Sequence, residues 1–122
     1  MTPRSDCPIA CALDVIGDRW SLLILRGLFI GEHRYGAFLD MQEKISTNIL
    51  ANRLSRLVDN GLIERRAYSQ RPLRYEYRLT KKGADLLGVL QEMTRWAQKH
   101  LPETKTPPDS FIQATPEQFY PD

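Results

Sequence analysis

Residues 45–80, ISTNILANRLSRLVDNGLIERRAYSQRPLRYEYRLT, change their hydrophobic period partway along, and few folds accommodate that change. Ser46 opens the stretch as an N-cap whose hydroxyl can satisfy an orphan backbone N–H. Leu50, Leu54, Leu57 and Val58 then recur at i, i+4, i+7 and i+8, one apolar stripe of an amphipathic helix. Asn60-Gly61 is the pair that best tolerates a left-handed C-cap. Beyond it the period becomes two. Tyr75, Tyr77 and Leu79 alternate with Arg74, Glu76 and Arg78, which predicts a half-buried strand. Residues 62–67 are its expected partner, and Ser69-Gln70-Arg71-Pro72 the turn between them. A capped helix followed at once by an arginine-rich hairpin predicts a winged helix-turn-helix, with the hairpin as the wing.

Rotating the helix by roughly 100° per residue sets Asn48, Asn52, Ser55, Arg56 and Asp59 opposite the leucines. Thr47 lies at its start and Arg53 flanks the polar side. Asn and Arg can hydrogen-bond base edges bidentately, and the first turns of a recognition helix are where they reach them. A merely solvated helix face has the same composition, so the hairpin decides. Arg65, Arg66, Arg71, Arg74 and Arg78 line it with little acid to answer them. Residues 41–82 hold ten Lys/Arg against four Asp/Glu, a local +6, within a chain whose formal charge is only +2. A basic block in a near-neutral chain is the footprint of a nucleic-acid face. Arg71, Arg74 and Arg34 are expected on phosphate or the minor groove, Asn48, Asn52 and Arg56 over major-groove edges, and Ser46 and Thr47 near phosphate.

At 122 residues the chain is expected to form one domain. Residues 1–7 read as an extended arm, 8–101 as the DNA-binding and dimerisation domain, and 102–122 as an irregular tail. Pro8 suits the first turn of a helix whose apolar stripe is Ile9, Ala12, Leu13 and Ile16, ended by Gly17. Cys7 and Cys11 fall on the other side. Cys7 sits at the helix N-terminus near Arg4, a setting in which a cysteine is reactive, whereas packing in a subunit contact is the bland alternative. A disulfide between the two is awkward, because i,i+4 side chains of one helix run parallel. Asp18 caps a second helix expected over residues 19–29, apolar on nearly every side. A short helix over residues 36–41, with Phe38, Leu39 and Met41 inward, precedes the turn at Glu43-Lys44-Ile45. Thr80 then caps one long helix through residue 100, about 30 Å at 1.5 Å per residue. Its stripe of Leu86, Val89, Leu90, Met93, Trp96 and Ala97 exceeds the needs of a small core, which predicts pairing with a second copy. Leu86, Val89, Leu90, Met93 and Trp96, with Ile9, are the expected dimer contacts. The tail carries five of the eight prolines and a net −3, with Phe111, Phe119 and Tyr120 able to dock on the body.

Several motifs together resemble the HxlR family of bacterial transcription regulators, which are MarR-like. They are C-P-I at Cys7, I-G-D-R-W at 16–20, R-Y-G at 34–36, and I-S-T-N-I-L-A-N-R-L at 45–54. N-G-L-I-E-R-R at 60–66, R-P-L-R-Y-E-Y-R-L-T at 71–80 and Trp96 complete the set. The match runs over about residues 7–101, and the tail lies outside it. The resemblance implies an α+β, mainly α protein: a winged helix-turn-helix with a two-stranded β wing and N- and C-terminal dimerisation helices. It implies a homodimer on palindromic promoter DNA. Several members sense electrophiles or oxidants through a cysteine at the position of Cys7, which makes a small electrophile or oxidant the candidate effector. Cys11 is the candidate resolving partner.

No enzyme reading competes. His33 and His100 lie on different elements with no carboxylate at ligand spacing, the two cysteines lack the partners of a zinc site, and no phosphate loop appears. No cofactor is expected. The longest apolar run, residues 22–30, is interrupted by Arg26 and too short for a bilayer, so no membrane partner is expected and the location read is cytoplasmic. Two alternatives stay open: a winged-helix module that binds protein or RNA, and a small-molecule-sensing repressor with no thiol switch.

Overall fold

The computed structural model describes residues 4–122; the start of the expected N-terminal arm, residues 1–3, lies outside the described residues. In chain order the elements are α1 (Pro8–Ile16), α2 (Ser21–Phe29), α3 (Tyr35–Leu39) and α4 (Thr47–Asp59). The hairpin β1 (Ile63–Gln70) and β2 (Leu73–Leu79) follows, then α5 (Lys81–Ala84), α6 (Leu87–His100), α7 (Asp109–Ile112) and a 3₁₀ turn at Pro116–Phe119. This is the mainly helical winged helix-turn-helix read from the sequence.

The core gathers one apolar face from each layer. Ile24 and Leu25 of α2, Phe38 of α3, Leu50 and Leu57 of α4, Ile63 of β1 and Leu87 of α6 are all fully buried. Burying side chains of this size stabilises by about 1.5–3 kcal/mol each relative to exposure. The α4 stripe behaves as its spacing requires: Leu50, Leu54 and Leu57 are buried and Val58 is half-buried. Ser46 Oγ accepts the Ile49 N–H, and Gly61 takes a φ of +73° just past the helix end. A side chain would be strained there.

The hairpin is longer and tighter than expected. Ile63 faces Leu79 and Gln70 faces Leu73, with a bulge between Ala67 and Ser69. Ser69 and Gln70 therefore belong to the strand, and only Arg71-Pro72 turns. The bulge lets the strands keep pairing while the ribbon twists.

The long terminal helix is in fact two. After Thr80 the chain is pressed against the turn that follows α4. The Thr80 N–H donates to the Leu62 carbonyl at 3.1 Å, and a Cβ on Gly83 would lie 1.9 Å from that same oxygen. The helix axis has to leave that contact to reach α2. Asp85 and Leu86 make the change, with Leu86 N–H bonding back to Gly83 at i−3 instead of i−4. Periodicity did not reveal the break, because both halves keep the same stripe.

Three smaller expectations also change. Helix α2 begins at Ser21 and α3 spans Tyr35–Leu39, each a little off the expected bounds. Ile9 and Leu13 of α1 are 72% and 54% exposed, so only Ile16 of that stripe enters the core. The tail is not irregular throughout. Gln91 is buried, and its Nε2 donates to the carbonyls of Phe111, Ile112 and Ala114 at 3.0, 3.3 and 2.8 Å. Phe119 meets Phe29 edge-on with ring centroids 4.9 Å apart, and the Tyr120 hydroxyl donates to Asp85.

Candidate nucleic-acid interface

Helix α4 is held at its N-terminal end by two neighbours. The Tyr35 hydroxyl of α3 donates to the Thr47 carbonyl at 3.1 Å. One turn earlier, Arg26 of α2 grips Glu43 with two parallel bonds of 2.9 and 2.8 Å. That guanidinium holds the Glu43 carboxyl down to about 2, against a partial opposing push from burial. The start of the helix is thus fixed by side chains from two other helices, which is what a reader of base edges needs.

Along the free face, Ser46, Thr47, Asn48, Asn52, Ser55 and Arg56 are all exposed. Arg56 makes no side-chain hydrogen bond or ion pair among the described residues, so its guanidinium projects unengaged. Arg53 does not. Its Nε donates to Asp18 Oδ2 at 2.9 Å, and its side chain is only 24% exposed. The sequence grouped Arg53 with the DNA contacts; it is instead tied inward, because the I-G-D-R-W segment places a carboxylate beneath it. Asp18 has a second task, accepting the backbone N–H groups of Trp20 and Ser21 at 3.0 Å each. The expected capping residue of α2 therefore caps from three residues before the first helical residue, Ser21, and the sequence held no signal that its carboxylate also reaches α4.

The wing is less bare than its composition suggests. Across the strands Glu64 faces Arg78 and Arg66 faces Glu76, and Arg78 bonds Glu76 at 3.3 Å. Arg65 lies over the Tyr75 ring, 4.1 Å from its centroid. The expectation of cations with little acid to answer them fails for Arg66 and Arg78, since antiparallel register sets acids directly opposite, while Arg65 faces Tyr77 and is covered by a ring. What remains is the tip: Arg71 and Arg74 are exposed and carry no side-chain partner among the described residues. Arg34 joins them from the body. Its backbone forms an isolated antiparallel β-bridge with Glu76, and its guanidinium stacks on the Tyr68 ring at 3.8 Å beside the wing. The Arg34–Tyr68 stack was not visible in the sequence, because it depends on the bulge that turns Tyr68.

At the opposite end, Cys7 is the exposed N-cap residue of α1, and Cys11 is half-buried with its Sγ donating to the Ser5 carbonyl at 3.2 Å. Arg4, expected near Cys7, is engaged with Asp14 at 2.7 Å. Of the expected dimer contacts, Ile9, Val89, Met93 and Trp96 are exposed and Leu86 is half-buried. Leu90 is 8% exposed and packs in the protomer's own core, so it has little surface to offer a partner. No group of three or more metal-ligating side chains occurs among the described residues, and no helix among them is long and apolar enough to cross a membrane.

The model of the HxlR-like helix-turn-helix family matches residues 15–105. An HTH-type transcriptional regulator of Mycobacterium tuberculosis is 42% identical over 97 residues, covering 80% of this chain and 61% of that protein. The chain thus spans about three fifths of the length of that curated relative. Among solved structures, the redox regulator HypR in its oxidized form aligns with a TM-score of 0.71 at 30% identity, covering 77% of this chain and 97% of that one. The reduced form of the regulator YodB from Bacillus subtilis aligns at 0.66 and 33% identity, covering 83% of this chain and all 100% of that one.

Proposed function

The chain belongs to the HxlR-like helix-turn-helix family, and from that premise we propose that it is a transcriptional regulator acting as a homodimer on a palindromic site in double-stranded DNA. The observation that carries this reading is the exposed Asn48, Asn52 and Arg56 face of a helix pinned at its start, beside a wing whose tip arginines are unengaged. In this reading α4 enters the major groove. Arg71, Arg74 and Arg34 hold phosphate or the minor groove, with Ser46 and Thr47 near the backbone. The dimer is supported by the unpartnered apolar side chains Ile9, Leu13, Met93 and Trp96, 51–72% exposed on the first and last long helices. A two-fold protein matches half-sites about 34–36 Å apart.

DNA binding is proposed to respond to oxidants or electrophiles through Cys7. An exposed thiol on a helix of the proposed subunit contact supports it, as does the likeness to a redox regulator solved in its oxidized form. Two thiols, one from each subunit, would pass two electrons and two protons to the oxidant and join as a disulfide. Cys11 is the less accessible second thiol. A different observation favours a regulator gated by a small molecule: an apolar groove of about 560 Å³ between α2 and α6, lined by Leu22, Leu23, Met93 and Phe111. The two readings part on Cys7→Ser, which abolishes a thiol response and leaves a groove response intact. Selection of bound sequences from random duplexes tests the central claim: an enriched two-fold site is expected, and no enrichment overturns it.

A further inference from the structure

Asp18, Arg53 and Asn52 form a chain of hydrogen bonds from the start of α2 to the outer face of α4. Asp18 Oδ2 takes the Arg53 Nε–H at 2.9 Å, and Nη1 of the same guanidinium donates to Asn52 Oδ1 at 2.5 Å. The ion pair is shielded, with side-chain exposures of 24% for Arg53 and 16% for Asp18. Burial pushes the Asp18 carboxyl up, but bonds from the Ser21 hydroxyl, the Trp20 N–H, Arg53 and the Ser21 N–H outweigh it and hold it below its ordinary value. The Asp18 end of the link is therefore anionic at neutral pH, and Arg53 has a permanent reason to stay.

A guanidinium has donors and no acceptor, so the Asn52 amide atom that faces it is the oxygen. The amide NH₂ of Asn52 consequently turns outward on the exposed face. An asparagine with both atoms free pairs with adenine, whose major-groove edge offers an acceptor and a donor side by side. With its oxygen held by Arg53, Asn52 turns its NH₂ donors outward and keeps one lone pair of that oxygen beside the guanidinium. We propose that Asp18 is a positioning residue that, through Arg53, orients the Asn52 amide with its NH₂ toward guanine or thymine oxygens and selects against adenine at that base. This rests on the reading of α4 as the helix that enters the major groove.

The test is selection of bound duplexes by the full chain as wild type, Asn52→Ala, Arg53→Met and Asp18→Asn, with thermal unfolding of each. Arg53→Met keeps the aliphatic stem and leaves Asp18 on its cap, so it carries the test if Asp18→Asn does not fold. Expected is one position whose preference disappears in Asn52→Ala, occupied in wild type by guanine or thymine over adenine by roughly five- to tenfold. In Arg53→Met, and in Asp18→Asn where folded, that position shifts toward adenine. A role confined to stability would lower the melting temperature and leave base preference unmoved. Adenine preferred there in wild type, an unmoved preference in Arg53→Met, or no Asn52-dependent position overturns the relay alone. A protein that enriches no sequence overturns the DNA-reading proposal and the relay with it.

Discussion

Arg26 and Glu43 join the middle of α2 to the turn before α4 by a fork-to-fork pair, at 2.9 and 2.8 Å. The two residues are 17 positions apart, and the turn between α3 and α4 has no other side-chain tie of this kind among the described residues. Such bidentate pairs fix direction as well as distance.

Stability should follow the titration of that pair. Glu43 is depressed from 4.5 to about 2, so its contribution is complete above pH 4.5 and fades as pH falls toward 2. Both side chains are about one-third exposed, which limits the contribution to about 0.5–1 kcal/mol after solvent screening. Glu43→Gln is expected to melt roughly 2–5 °C below wild type at neutral pH. Thermal scans across pH should show the gap closing in the acid range; a constant gap would refute the assignment.

Arg71 is expected to position the wing without reading sequence. Arg71→Ala should weaken binding to all duplexes alike and flatten the salt dependence of the association constant by about one unit of slope. Fluorescence anisotropy on specific and scrambled duplexes over a salt series measures both.

Asn48 and Arg56 are expected to read bases. Either change to Ala should cost about 1–3 kcal/mol on the selected site and relax its preference at one position. An Arg56→Ala protein with unchanged affinity and an unchanged selected sequence would move the reading face elsewhere on α4.

Met93 and Trp96 are 51% and 60% exposed on α6. Trp96→Glu is expected to convert a micromolar dimer into monomer, because a carboxylate would be desolvated in the contact. Sedimentation reads this directly, and a wild type that is monomeric with and without DNA would end the two-fold model.

Cys7 is expected to carry the oxidant response. Diamide should release DNA from wild type and not from Cys7→Ser, with the oxidised dimer visible on a non-reducing gel. Release that persists in Cys7→Ser would leave this cysteine as part of the surface only.

Local rules were enough to locate α4 and the hairpin. The leucine stripe of α4, its Ser46 cap, Gly61 and the period-two alternation of β2 depend on neighbours a few residues away, so the sequence by itself determined a helix followed by a wing. The family resemblance supplied the regulator class. What each charged residue does was decided only by tertiary structure. Arg53 and Arg56 are three positions apart on one helix, yet one is tied to Asp18 and the other is left free. Arg66 and Arg78 look like cations of the wing until strand register sets acids opposite them. The split of the last helix and the docked tail have the same origin, since Gly83 against Leu62 and Gln91 against the tail carbonyls are long-range contacts. Periodicity reports which side of an element is apolar. It is silent on which distant group a charged or amide side chain will meet, because that is set by how the elements pack.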